Sequence, residues 1–227
     1  MKRFTMLILS LLGMVGSAFC LDMSIGPSFT YAPMRTDFNV SYPGYSDGDY
    51  IDTYNMGSVG VFFDAEYLQA NIAYSWMLSG SYDITDPEGY FYGYSVNNSG
   101  GITAHFTYID FNLLGKVPIK IGSFSVFPLL GVEYDQNLTW TDKDGNNLKS
   151  GLSSDEKNNL NKFFFDVGLG ADFTLSEDFF IRPEVILGFK MKSKFENDTI
   201  DNWNSYGFDA DYQTTKWNFG LSLGYKF

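Results

Sequence analysis

The 227-residue chain has one cysteine, Cys20, and one histidine, His105. Neither a disulfide framework nor a thiolate metal site is available to it, and no metal or cofactor is expected. Basic residues are scarce as well: 15 Lys and Arg stand against 27 Asp and Glu, a formal net charge of −12. Nucleic-acid binding asks for clustered Lys and Arg, so that class is excluded. Long apolar runs are also missing. Beyond residue 20 no stretch approaches the ~20 apolar residues that a membrane-spanning helix needs.

The one apolar stretch near the start, residues 5–16, follows Lys2 and Arg3 and leads into small residues. That layout is a secretory signal peptide over residues 1–20. Cleavage is expected after Cys20, with Ala18 three residues before the cut, or alternatively after Ala18. Phe19 directly before the cysteine is a bulky misfit for a lipoprotein anchor on Cys20. Residues 21–227 are the size of one domain. They are rich in aromatic residues, at 19%, and in glycine. An exported chain of this kind fits a membrane β-barrel, with a secreted β-sandwich as the competing class.

The order of residues separates the two. Eight stretches alternate apolar with small or polar residues, at 23–31, 56–63, 68–78, 104–117, 124–134, 163–173, 181–191 and 217–227. Period two means strands with one greasy and one wet face. Each is about the length that a tilted strand needs to cross a bilayer. The fifth stretch has the least regular register, because Phe127 and Leu129 fall on its polar side. Connections of a few residues (64–67, 118–123, 174–179) alternate strictly with long ones (32–54, 79–101, 135–161, 193–215). A Greek-key sandwich has no reason to sort its loops so, whereas an up-and-down antiparallel barrel of eight strands does.

In that barrel the greasy faces meet lipid and the wet faces meet each other inside. The lumen is expected to hold Asp64, Glu66, Asp110, Glu133, Asp166, Asp172 and Glu184 against Lys116, Arg182, Lys190, Lys192, Lys216 and Lys226. An eight-stranded barrel is just wide enough for side chains to fill, so opposite charges should pair into a plug. A charged lane for ions or small solutes is the other reading. The four long connections carry the whole net charge of −12 together with many tyrosines. Acids keep exposed loops soluble, and they also attract a basic ligand or host surface.

Three motifs promise chemistry and deliver little. Residues 142–147, "DKDGNN", begin like a calcium loop, but the glycine comes one place early and Ser153 stands where the closing acid belongs. "GLG" at 168–170 sits inside a strand with no helix after it, so it is no phosphate cradle. His105, with Thr107 beside it, would need an acid such as Asp83 or Asp86 to serve as a general base, and the sequence cannot place one.

The final strand, with Phe219, Leu221, Leu223, Tyr225 and Phe227 on one face, resembles the carboxy-terminal signal by which bacterial outer-membrane barrels are recognised for assembly. With the leader and the eight strands, the whole mature chain resembles the small outer-membrane barrels of the OmpA, OmpX and OmpW kind. The resemblance implies residence in the bacterial outer membrane, contact with outer-membrane lipid, and hand-over by the barrel assembly machinery through those five residues. Some eight-stranded outer-membrane enzymes act on lipid A with a His and a Ser near the rim, and here only "HFT" at 105–107 would serve. The preferred expectation is a non-enzymatic surface barrel with a plugged lumen, ahead of a narrow channel and of a lipid A-modifying enzyme.

Overall fold

A computed structural model describes residues 22–88, 90 and 96–227; the leader and loop residues Phe91, Tyr92 and Tyr94 lie outside the described residues. Ten strands form one antiparallel sheet: β1 (Met23–Ser41), β2 (Gly48–Ala65), β3 (Leu68–Asp86), β4 (Val96–Gly101), β5 (His105–Lys116), β6 (Ile119–Ile121), β7 (Phe124–Thr141), β8 (Lys162–Thr174), β9 (Phe179–Lys190) and β10 (Asp209–Lys226). Eight of them close a ring in the order β1-β2-β3-β5-β7-β8-β9-β10, with β10 pairing back onto β1. The remaining two are additions: β4 lengthens the far end of β3, and β6 pairs with β7 inside the 118–123 connection. Closure leaves the ring no free edge, which is what a sheet surrounded by hydrocarbon requires.

Alternation along each ring strand sorts the side chains. Outward residues such as Ile72 (57% exposed), Leu169 (68%) and Leu221 (53%) form a continuous apolar belt. Exposed apolar surface on this scale has no place in water and is the lipid-facing wall of a transmembrane barrel. The chain is therefore a transmembrane β-barrel by its own geometry, the architecture of bacterial outer-membrane proteins. Stacked outward rings (Tyr74 with Trp76, Trp217 with Phe219) strengthen the belt.

The long connections differ from the sequence expectation. Of the expected loop 32–54 only residues 42–47 are loop, because β1 and β2 continue in register out to Val40 and Gly48. β3 and β7 run on in the same way, to Asp86 and Thr141. Beyond the bilayer a strand no longer needs a greasy outer face, so the apolar alternation fades while the hydrogen-bonded ladder persists. The 135–161 and 193–215 connections hold helices Ser154–Asn159 and Lys194–Ser205. Each opens with a capping box, Ser153 with Glu156 and Ser193 with Glu196, the reciprocal bonding that satisfies the first free amides of a helix.

The fifth stretch keeps the alternation in spite of its two large apolar residues on the polar side. Phe127 and Leu129 point into the lumen, at 1% and 2% exposure, beside Leu114 and Ile186. Space for them comes from inward glycines on the neighbouring wall. A Cβ at Gly170 would lie 2.3 Å from the Phe127 ring, and one at Gly224 would lie 2.0 Å from Phe180. Small residues facing large ones fill a narrow barrel.

Candidate functional site

The lumen is the place where this sheet gathers its chemistry, and it is built in tiers. Nearest the short turns, Arg182 of β9 is 1% exposed. Its Nε and Nη2 donate to Asp172 Oδ1 and Oδ2 at 2.6 and 2.9 Å, a two-pronged pair of the kind that fixes geometry as well as charge. Nη1 donates to Gln69 at 2.8 Å and also meets Asp64, which takes the Lys116 ammonium as well. The guanidinium lies among three rings, with centroids 5.0 Å (Phe62), 5.2 Å (Phe127) and 4.9 Å (Phe180) away. Cation–π contact with three faces adds to the ion pairs. Gln69 then donates its amide to Glu184 at 2.9 Å, so the tier continues upward.

Above an apolar layer of Leu114, Phe127, Leu129 and Ile186 lies a second polar tier. Lys216 of β10 crosses the lumen to Glu133 (2.6 Å) and Asp135 (2.9 Å) of β7. Asn218 donates to the other Glu133 oxygen at 3.0 Å, Asn112 donates to Asp166 at 3.0 Å, and Ser75 bonds Asp110. A third tier faces the tall end. There the Lys162 ammonium is 3.2 Å from Met34 Sδ and lies over the rings of Tyr54 and Tyr108. Lys190 pairs with Glu196 from the helix Lys194–Ser205. Rings of Tyr42, Tyr45, Trp203 and Phe208, with centroids 5.1 to 5.6 Å apart in successive pairs, gather where the 42–47 loop meets the start of β10.

Of the charges assigned to the lumen from sequence, Asp64, Lys116, Asp172 and Arg182 form one cluster. Glu133 is joined by Lys216, while Asp110, Asp166 and Glu184 are held by neutral partners. Lys226 stands apart at the short-turn end, its ammonium 5.5 Å from the Phe180 ring. Glu66 occupies the β2–β3 turn with φ 53° and lines the cavity at the short-turn end of the lumen with Asp64, Lys116, Arg182 and Lys226. Lys192 lies above the ring and pairs with Asp211 at the exposed rim. Sequence reasoning missed Asp135 and Lys162, which stand where the outward apolar pattern stops; it turned Gln69, Asn112 and Asn218 to the wet faces of their strands but gave them no part in the charge network.

The chemical motifs fare as follows. Asp142 is occupied by its own turn, accepting from the amides of Asp144 and Asn146 at 2.9 and 2.8 Å. His105 is exposed at the first position of β5, opposite Thr141, and the Thr107 hydroxyl shares a 2.7 Å hydrogen bond with Thr139. Asp83 faces Ser99 of β4, and Asp86 accepts from the Tyr90 amide at 2.7 Å.

No protein-family model matches the sequence, and no curated protein sequence matches it. Solved structures of small outer-membrane barrels are similar in architecture. Outer membrane protein OprG from Pseudomonas aeruginosa is 16% identical, with 91% of this chain and 96% of that one covered and a TM-score of 0.45. The attachment invasion locus protein Ail of Yersinia pestis, in complex with the heparin analogue sucrose octasulfate, is 12% identical (91% and 100% covered, TM-score 0.32). Outer membrane protease OmpT from Escherichia coli is 8% identical (91% and 97% covered, TM-score 0.40). Likenesses this distant transfer no function, and the reading of the chain rests on its own closed ring, apolar belt and filled lumen.

Proposed function

We propose that this protein is a non-conducting outer-membrane barrel that holds a tall, acidic, aromatic crown above the cell surface for contact with an extracellular ligand or host surface. The observation that carries this reading is Arg182, buried near the short turns among its carboxylates and three phenylalanine rings. A solute lane needs a continuous wet path, and a buried ion-paired tier of this kind supports a closed lumen instead. Short turns face the periplasm in such barrels, so the crown is extracellular. It stands on a wall of β10, β1, β2, β3 and β4 that outreaches the shorter β5, β8 and β9. Ladder-paired strands in the crown make it a firm platform, and its acids, such as Asp47, Asp49 and Glu88, favour a basic partner. In this reading the outward residues Phe219, Leu221, Leu223 and Tyr225 of β10, with Phe227 just beyond it, serve as the segment read by the barrel assembly machinery.

The test is single-channel recording on the refolded mature chain, after a gel has displayed the heat-dependent mobility of a folded barrel. A silent bilayer is expected. Reproducible conductance steps from folded protein would reject the plug and make transport the leading function.

A further inference from the structure

In the second tier of the lumen three carboxylates converge. Asp110 and Asp135 are directly opposed in the β5–β7 register, and Glu133 follows two residues away, opposite Asn112. One oxygen of each acid lies within 4.8 Å of the others, and the three residues are 8%, 4% and 4% exposed for Asp110, Glu133 and Asp135. Like charges set opposite each other on neighbouring strands repel, and in a buried place each needs a compensating partner.

The compensation is uneven. Lys216 serves Glu133 and Asp135, and Asn218 serves Glu133 again. Asp110 receives the Ser75 hydroxyl on Oδ2. The remaining oxygens, Oδ1 of Asp110 and Oδ1 of Asp135, are buried without a hydrogen-bond partner among the described residues. All three acids line one cavity of about 50 Å³, together with Tyr108 and Lys216. That is room for an ion and a water or two. Unpartnered buried oxygens rarely persist unless something unseen satisfies them, and here they border a space of suitable size.

We propose that Asp110, Glu133 and Asp135 form a luminal site for a hard divalent cation of calcium size. Glu184 and Lys162 line the same cavity, and the four carboxylates less the ammoniums of Lys162 and Lys216 leave two negative charges, which a divalent ion neutralises. The donors are all oxygen, with no thiolate or imidazole, and this set suits calcium better than a transition metal. Asp110 Oδ1 and Asp135 Oδ1 would bind from opposite strands, Glu133 from below, with water completing the shell. Bound there, the ion turns the repulsive Asp110–Asp135 pair into a cross-strand clamp between β5 and β7. The site rests on this cluster alone and stands whichever way the conductance experiment falls.

Terbium, which occupies calcium sites, is the probe, with Tyr108 in the cavity wall as the ring that sensitises its luminescence. Folded wild-type barrel is expected to give one saturating, tyrosine-sensitised phase that calcium displaces. Asp110→Asn and Asp135→Asn, each nearly isosteric, should weaken that phase at least about tenfold. Asp142→Asn, in the exposed turn, should leave it unchanged, which separates the lumen from the acidic crown. A phase that survives in Asp110→Asn would overturn the proposal. So would a folded wild-type barrel with no calcium-displaceable phase, a result that needs no variant to fold.

Discussion

Replacing Arg182 by Met is expected to cost about 3–5 kcal/mol of barrel stability, the usual penalty for stranding a buried charge. Methionine keeps most of the side-chain volume between Phe62, Phe127 and Phe180, so lost packing contributes little. What changes is the charge inventory. Asp172 loses both of its guanidinium bonds, and Asp64 keeps only Lys116. Because removing one partner of a buried pair costs more than removing both, Arg182→Met with Asp172→Asn should recover a large part of the loss. Urea titration of refolded barrels, read by the heat-dependent gel shift, measures both variants. A double variant no better than the single would mean that arginine packing, and not the stranded carboxylate, dominates the tier.

That Arg182 faces the lumen is legible in the sequence, and the reason is geometric. Period-two alternation fixes the face of every residue in a ring strand once one residue is assigned, so Arg182, Asp64, Lys116, Glu133 and Asp166 are placed inward by their neighbours. The eight ring strands and the order of short and long connections follow from the same pattern. It also turns Phe127 and Leu129 inward against their hydrophobicity, and the lumen takes them because glycines such as Gly170 on the neighbouring strand leave room. Three things escape the pattern. Asp135 and Asn137 continue the inward alternation of Glu133 through Tyr134 and Gln136. The stretch looks like loop only because the outward residues turn polar above the bilayer. The two crown helices are announced by "SSDE" at 153–156 and "SKFE" at 193–196, capping-box spacings hidden inside segments without apolar periodicity. Pairings such as Lys216 across to Glu133, 83 residues apart in sequence, depend on barrel stagger, which composition does not encode.

Gly26→Ala is expected to disrupt closure of the ring. Gly26 lies in β1 at the seam with β10, between the paired positions Ile25↔Tyr225 and Ser28↔Ser222. A Cβ there would stand 1.8 Å from the Leu223 carbonyl oxygen and 2.8 Å from its carbon. Those are backbone atoms held in the ladder, so no side-chain rotation relieves the clash, and the strands must separate. The third neighbour, 3.1 Å away, is the Phe62 ring, which packs on Arg182, so the disturbance also reaches the plug. Overpacking a rigid site costs about 1–3 kcal/mol when side chains can yield, and a backbone clash at the closing seam should exceed that. Gly115→Ala is the matched comparison: it sits in the wall of β5, and its nearest added contact is an ordinary 3.6 Å to the Leu130 carbonyl oxygen. Its stability should stay within about 0.5 kcal/mol of wild type. Refolding yields of the two variants, scored by the heat-shifted band, decide the matter. If Gly26→Ala refolds as fully as Gly115→Ala, the β1–β10 seam tolerates a wider separation, and close strand contact at Gly26 is not what holds the ring shut.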